Sequence, residues 1–253
     1  VSQGVKEFQV IAQELTYYGV DLYKSQKLPE LIEKITQVPG VEWIRLHYAY
    51  PTHFPEDLFR VMRENDNVCK YMDIALQHIS DNMLSRMRRN VSKAETYALI
   101  EKFRKEVPGI HLRTTLMVGF PGETEEDFEE LKEFVQKARF DRMGAFAYSE
   151  EEGTKAATMQ QMPMEERERR ADLIMQLQTG IMADKQAAMV GRNIDVIVDD
   201  YDSENELFIC RSVYDAPEID GVVNIKTDKY LVPGDIEFVK IIDASEYDLV
   251  GEI

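Results

Sequence analysis

Arg113-Thr-Thr-Leu-Met-Val-Gly-Phe-Pro-Gly-Glu-Thr-Glu-Glu-Asp-Phe128 is the stretch that decides the fold. The segment from Leu112 to Val118, which includes the start of this stretch, is apolar and β-prone, as is typical of a parallel strand covered on both faces by helices. Gly119 and Gly122 flank a proline, so the backbone can turn sharply and come close to a ligand. Thr124, followed three residues later by an aspartate, predicts a capped helix start. The stretch therefore predicts a strand, a ligand-binding turn and a helix.

Five strand-like segments alternate with helical segments through residue 150, which is the signature of parallel βαβ units. The predicted strands are Glu7 to Ala12, Glu42 to Tyr48, Tyr71 to Leu76, Ile110 to Val118 and Arg142 to Tyr148. The predicted helices are Pro29 to Val38, Pro55 to Asn65, Ser80 to Arg88, Lys93 to Glu106, Thr124 to Arg139 and Met164 to Met189. In parallel α/β folds the ligand lies over the carboxyl ends of the strands, so residues that follow each strand are site candidates.

After Gly191 the pattern changes to short alternating strands separated by turns such as Val232-Pro233-Gly234. This pattern predicts a small antiparallel β-barrel of about 60 residues. We therefore expect two domains, residues 1–190 and residues 191–253.

The chain is acidic, with a formal net charge of −17, and the charge is unevenly distributed. Residues 191–253 contain 16 acidic and 5 basic residues, a net charge of −11. Such a surface repels phosphate backbones and attracts basic partners. General solubility is the alternative explanation.

Cys69 and Cys210 lie far apart in the sequence without any partner spacing. This favours a reducing cytoplasm and argues against a zinc site or a disulfide framework. No apolar run of about 18 residues and no leader-like start is found, so we expect neither a membrane span nor a signal peptide.

Five motifs follow one another in an order that resembles the radical S-adenosylmethionine methylthiotransferases. They are Ala12-Gln-Glu-Leu-Thr-Tyr-Tyr-Gly19, Trp43-Ile-Arg-Leu-His-Tyr48, Asp73-Ile-Ala-Leu-Gln-His-Ile-Ser80 with Met87-Arg88-Arg89, Arg113 to Thr124, and Ala145-Phe-Ala-Tyr-Ser-Glu-Glu-Glu-Gly153. The acidic segment with Ala216-Pro-Glu-Ile-Asp-Gly221 resembles the TRAM module that ends those enzymes. The resemblance implies an open, partial TIM-type (β/α)6 radical SAM barrel that lacks its first strand, followed by a small antiparallel TRAM barrel.

Within this family, some members modify tRNA and one branch modifies an aspartate of ribosomal protein S-twelve. Two features favour the ribosomal branch. Gln77-His78 stands where tRNA-modifying members more typically have Gln-Ser-Gly-Ser. An acidic TRAM module also suits a basic protein partner better than it suits tRNA. The resemblance therefore implies methylthiolation of an aspartate β-carbon, with S-twelve docking on the acidic barrel. A tRNA adenosine 2-methylthiotransferase and a cluster-free ribosome-docking module are the alternatives.

The resemblance also implies S-adenosylmethionine and two [4Fe-4S] clusters as cofactors. Family members hold one cluster through a Cys-x3-Cys-x2-Cys loop after the first barrel strand, and this chain contains no such loop. We therefore expect a truncated chain that is inactive as written, with no catalytic and no metal-ligating residue of its own.

Ten residues are candidates for the site. Those expected to bind S-adenosylmethionine are Gln13, Glu14, Arg113, Val118, Gly119 and Phe120. Those expected on the substrate side, at the barrel mouth, are Gln77, His78, Tyr148 and Glu151. An ion pair inside the barrel is the alternative for Arg113, a structural network for Gln13 and Glu14, a core histidine for His78 and a solvated loop for Glu151. Glu123 is expected to act only as a helix-cap partner.

Overall fold

The computed structural model describes residues 1–253 and begins with five parallel strands that form one open sheet in the order β1-β2-β3-β4-β5. These strands are β1 Glu7–Val10, β2 Trp43–Ala49, β3 Val68–Gln77, β4 His111–Val118 and β5 Arg142–Ala147. The helices are α1 Val20–Tyr23, α2 Leu28–Thr36, α3 Asp57–Glu64, α4 Asp81–Arg86, α5 Lys93–Glu106, α6 Glu125–Ala138 and α7 Met164–Ala187, and 3-10 turns lie at Leu15–Tyr17 and Ala156–Thr158. The predicted open parallel barrel of five strands is confirmed, with element ends shifted by up to three residues. The short helix α1 and the two 3-10 turns were not predicted.

The two faces of the sheet differ in chemistry because side chains alternate along each strand. On β4, Leu112, Leu116 and Val118 pack under the helices in a core of 33 buried residues. The residues that alternate with these along the strand, including Arg113 and Met117, point to the inner face of the partial barrel. The inner face is therefore the surface that can hold a ligand.

The carboxyl-terminal strands form a closed five-stranded barrel in the order β10-β8-β7-β6-β9. They are β6 Asn193–Asp202, β7 Leu207–Ser212, β8 Val223–Ile225, β9 Ile236–Ala244 and β10 Leu249–Glu252. The predicted barrel is confirmed, but it is not wholly antiparallel, because β8 and β10 pair in parallel. The sequence pattern missed this pairing because β10 is only four residues long and follows a turn that gives little alternation.

A loop between β7 and β8 joins the small barrel to the amino end of the parallel sheet. Asp215 on this loop accepts a hydrogen bond of 2.9 Å from Arg142 Nε at the start of β5. The hydroxyl of Tyr71 on β3 donates to Asp220 Oδ2 at 3.0 Å. The small barrel thus covers the end of the sheet opposite to the carboxyl ends of the strands and leaves those ends open.

Candidate active site at the carboxyl ends of the strands

The turn after β4 is shaped by two glycines and one carboxylate. Gly119 and Gly122 have φ values of +73° and +92°, which side chains other than glycine rarely adopt. A Cβ atom on Gly119 would overlap the side chain of Arg167 from α7. The backbone N–H of Gly119 donates to Glu123 Oε2 at 2.7 Å, so the turn is closed on itself.

Glu123 also links the turn to α7. Its Oε1 accepts a hydrogen bond of 2.7 Å from Arg170 Nη1, and both side chains are buried. Burial raises the pKa of Glu123, and the hydrogen bond from Arg170 opposes that shift. The expectation that Glu123 is a helix-cap partner is wrong, since Thr124 and Asp127 form the capping box of α6 by themselves. Glu123 instead fixes the shape of the turn.

His78 lies behind this turn and is fully buried. Its Nδ1 accepts a hydrogen bond of 3.0 Å from Ser80 N, which places the ring proton on Nε2. Nε2 lies 3.8 Å from Glu123 Oε2, beyond hydrogen-bond distance. Burial lowers the pKa of His78 to about 4, so the ring is neutral at pH 7. The structure places His78 in the protein interior and not on the surface of the mouth.

A cavity of about 590 Å³ opens where β3 and β4 end. Its walls include Gln77, Met117 and Phe120, so apolar side chains meet a small number of polar groups, as is usual in small-molecule sites. Gln77 has a φ of +69°, and its buried Oε1 has no hydrogen-bond partner in the protein. A buried acceptor without a partner is costly, and a ligand donor would satisfy it.

Tyr148 supports this cavity from behind. It packs edge-on against Phe120 with ring centroids 5.1 Å apart, and it is buried. The backbone carbonyl of Tyr148 accepts a hydrogen bond of 2.9 Å from Arg167 Nη1. Of the acidic run that follows, Glu150 pairs with Arg167 at 2.9 Å, whereas Glu151 is exposed.

Gln13 and Glu14 follow β1 at the same edge of the sheet. Gln13 is exposed, and the carboxylate of Glu14 caps the first 3-10 turn by accepting a hydrogen bond of 3.1 Å from Thr16 N. Glu14 is also near enough to Arg89 to affect the pKa of that guanidinium electrostatically. Neither residue lines the cavity itself, and only Glu14 is linked to it, through Arg89.

Arg113 lies at the opposite, amino end of the inner face, away from the other predicted site residues. Its guanidinium is 3.3 Å from Asp73 Oδ2 and 3.4 Å from Asp220 Oδ1. Burial raises the pKa of both carboxyl groups, and the charge of Arg113 opposes that shift. Arg113 thus forms an ion pair inside the barrel, which is the alternative to a role in cofactor binding. The sequence analysis considered this alternative but could not name Asp220 as a partner, because Asp220 comes from the small barrel.

Neither cysteine can ligate an iron-sulfur cluster in this arrangement. Cys69 and Cys210 are buried in separate apolar clusters, and no group of three or more His, Cys, Asp or Glu side chains could hold a metal ion. Burial raises the pKa of the Cys69 thiol to about 11 and that of the Cys210 thiol to about 12, which disfavours the thiolate that binds iron. The residues of this chain therefore do not fit a [4Fe-4S] cluster.

No helix of the protein combines the length and the apolar character that a membrane crossing requires.

Two protein-family models match the chain. Residues 1–135 match the model described as the Radical SAM superfamily, and residues 190–253 match the model described as the TRAM domain. A Phocaeicola vulgatus protein named "Ribosomal protein uS12 methylthiotransferase RimO" is 67% identical over the whole of this chain, which covers 59% of that protein. A Porphyromonas gingivalis protein of the same name is 50% identical over the whole of this chain, which again covers 59% of that protein. The chain thus spans about three fifths of the length of these curated relatives.

Among solved structures, coproporphyrinogen III oxidase (HemN) from Escherichia coli, titled a Radical SAM enzyme, aligns with a TM-score of 0.47 at 17% identity. The alignment covers 63% of this chain and 36% of that chain.

Proposed function

This chain belongs to the radical S-adenosylmethionine superfamily, and from that premise we propose that it serves in a transferase that methylthiolates the β-carbon of an aspartate in ribosomal protein uS12. The observation that carries the proposal is the 67% identity, over the full chain, to a protein named as a uS12 methylthiotransferase. The open mouth of the parallel barrel is the proposed place of reaction, because ligands of such folds lie over the carboxyl ends of the strands.

Membership of the superfamily implies S-adenosylmethionine and a [4Fe-4S] cluster as cofactors, and we propose a second cluster for the complete enzyme. Cleavage of S-adenosylmethionine to an adenosyl radical requires an electron from a cluster. No residue of this chain is assigned to that step, because its two cysteines do not fit a cluster.

The adenosyl part of S-adenosylmethionine would occupy the cavity at the mouth. Val118, Gly119 and Phe120 would offer backbone groups and an aromatic wall to the adenine, since the turn that contains them is rigidly closed by Glu123. The unpartnered Oε1 of Gln77 would accept a hydrogen bond from the ligand. Gln13 and Glu14 would reach the ribose hydroxyls or the amino group from the neighbouring edge. Arg113 is left out of the proposed cofactor site, because its ion pairs with Asp73 and Asp220 hold it at the other end of the sheet.

His78 and Tyr148 would act by supporting the turn and Phe120, and not by touching the substrate, since both are buried. Glu151 is exposed at the mouth and would attract a basic protein. We further propose that residues 1–190 and 191–253 are separate domains and that the protein works in the cytoplasm, where uS12 is made and assembled.

The proposed partner is the basic protein uS12, which would dock on the acidic barrel of residues 191–253. Several carboxylates of this barrel, among them Asp200, Glu204 and Asp243, are exposed and have no cationic partner. A surface of net charge −11 attracts a basic protein and repels the phosphates of tRNA.

An assay with both substrates tests the proposal. The full-length protein that contains this chain would be purified and reconstituted anaerobically, then incubated with uS12 and, separately, with tRNA. Mass spectrometry should find one methylthio group on an aspartate of uS12 and none on tRNA. Modification of tRNA alone would establish the tRNA adenosine 2-methylthiotransferase instead. If the reconstituted protein binds uS12 and ribosomes but modifies neither substrate, the cluster-free docking module is the better explanation.

A further inference from the structure

The mouth cavity has a cationic rim that the proposed cofactor site does not use. The rim consists of Arg86, Arg88, Arg89 and Lys155, and no aspartate or glutamate is among the residues that line the cavity. The charge around the cavity is therefore positive, although the net charge of the chain is −17. A cluster of like charges around a partly enclosed space costs electrostatic energy unless an anion enters it.

The rim cations differ in how firmly the protein holds them. Arg89 stacks on Tyr50, with its guanidinium carbon 4.0 Å from the ring centroid, and donates to the carbonyl of Ala75. Its buried Nε has no acceptor. Arg86 donates to Asn82 Oδ1 at 3.0 Å. Arg89 is thus the fixed part of the rim, and it still has a hydrogen-bond donor without a partner.

The outer part of the rim is adaptable. Arg88 and Lys155 are exposed, and neither side chain belongs to any of the ion pairs found in the structure. They line the same cavity from two separate segments, one just after α4 and the other just before the second 3-10 turn. An anion that enters the cavity can therefore meet both cations.

We propose that this cationic rim binds the side-chain carboxylate of the aspartate that the enzyme modifies, an inference that rests on the proposed function. Arginine donors match the two oxygens of a carboxylate in a fork-like geometry. The aspartate carboxyl group is bonded directly to the β-carbon, so fixing the carboxylate fixes the reacting carbon within one bond. Such positioning is a large source of rate in enzymes.

The rim would also distinguish aspartate from asparagine. An asparagine amide would place a donor against cations and leave them without an anionic partner, which makes the wrong side chain costly to bind. The charge of the rest of the chain disfavours RNA as the anion. A single carboxylate can enter a small cationic area, whereas a polyphosphate backbone would also meet the acidic barrel.

Binding measurements on the full-length protein test this proposal. Two fluorescein-labelled peptides would carry the modified loop of uS12 with either aspartate or asparagine at the target position, and fluorescence anisotropy would give their Kd values. The variants are Arg88→Gln, Lys155→Gln and the double substitution. The matched control is Lys105→Gln, an exposed lysine at the far end of α5.

The wild-type protein and the control should bind the aspartate peptide about tenfold more tightly than the asparagine peptide, the effect of a charge-assisted hydrogen bond. Each single variant should reduce this preference and the double variant should abolish it, with the Kd of the asparagine peptide unchanged. Thermal unfolding should show the same Tm for all five proteins, because the substituted side chains are exposed.

Three results would overturn the proposal. One is an undiminished preference for the aspartate peptide in the double variant. Another is weaker binding of S-adenosylmethionine by the variants, which would assign the rim to the carboxylate of the cofactor. The third is binding of an anticodon stem-loop RNA that depends on Arg88 and Lys155. The uS12 modification assay distinguishes failure of this proposal from failure of the proposed function. If the wild-type protein modifies uS12 but the variants keep their preference for the aspartate peptide, only the role of the rim is refuted.

Discussion

Glu123 illustrates why the role of a single residue is difficult to predict from sequence. Its position before the capping residues Thr124 and Asp127 suggests a role in the helix start, but those two residues form the capping box alone. Its real partner, Arg170, is 47 residues away in the sequence and reaches it only because α7 packs across the turn. Gly119 and Phe120, by contrast, were placed correctly at the turn because local glycine spacing predicts local backbone geometry.

Removing the Glu123 carboxylate should destabilise the protein. In Glu123→Ala the buried guanidinium of Arg170 loses one of its partners, and the N–H of Gly119 loses its acceptor. The free energy of unfolding should fall by about 3 kcal/mol, as for other broken buried ion pairs. Urea unfolding measures this change. The control Glu129→Ala, at an exposed carboxylate of α6, should shift the unfolding free energy by less than about 0.5 kcal/mol. Equal effects of the two substitutions would contradict the role of Glu123.

The buried histidine should make stability depend on pH. The pKa of His78 is about 4 in the folded protein, against 6.5 for an ordinary histidine, because burial disfavours the charged ring. Between these values the unfolded chain binds a proton that the folded chain does not, so stability falls as pH falls below 6.5. His47, whose pKa burial also lowers to about 4, adds to the same trend.

His78→Asn keeps an acceptor for Ser80 N but removes the titrating ring. Between pH 7 and pH 5 the free energy of unfolding of the wild-type protein should fall by about 2 kcal/mol more than that of this variant. His53→Asn, at an exposed histidine, serves as the control and should keep the wild-type pH dependence. An unchanged slope in His78→Asn would show that the ring is not buried in its neutral form.

At the scale of elements, the sequence predicted all five strands of the sheet and its six longer helices. These elements have strong periodicity or clear caps, as at Lys93–Glu106, where the predicted and observed bounds agree. The elements that were missed are short: α1, the 3-10 turns and β10. Elements of three or four residues contain too few side chains to establish a period, so tertiary contacts decide their conformation.

The turn after β4 should tolerate no side chain at its first glycine. In Gly119→Ala the new Cβ would both strain a backbone of φ +73° and overlap Arg167. Gly109 has a similar φ of +83° with open space around it, so Gly109→Ala carries the strain alone. We expect Gly119→Ala to cost about 2 kcal/mol more than Gly109→Ala in urea unfolding and to weaken binding of S-adenosylmethionine. Similar costs for the two variants would mean that Arg167 does not pack against the turn.

At the scale of the whole molecule, the sequence predicted two units but not how they are joined. The loop between β7 and β8 inserts Asp215 and Asp220 under the amino end of the sheet, where they meet Arg142 and Arg113. No local pattern predicts pairs between residues about 70 to 110 positions apart, since only the folded arrangement brings their charges together. The acidic composition of residues 191–253 was visible in the sequence, whereas the burial of these two carboxylates was not.

Charge on the small barrel should control the docking of uS12. Reversal of two exposed carboxylates, in Asp200→Lys with Glu204→Lys, should weaken the Kd for uS12 about tenfold, and the effect should shrink at high salt. The control is Glu129→Lys with Glu133→Lys on α6, which makes the same change of net charge elsewhere. Biolayer interferometry at several salt concentrations measures both. An equal loss of affinity in the control pair would assign the effect to net charge and not to a docking surface.

The mass of uS12 in cells tests most directly the central claim that this chain serves a uS12 methylthiotransferase. Ribosomes would be isolated from the source cells, from cells lacking the gene that encodes this chain, and from such cells with the gene restored, and uS12 would be analysed by mass spectrometry. One methylthio group on an aspartate should disappear with the gene and return with it, while tRNA modifications stay unchanged. A uS12 mass that does not change on deletion, or a loss of tRNA methylthiolation in its place, would contradict the claim.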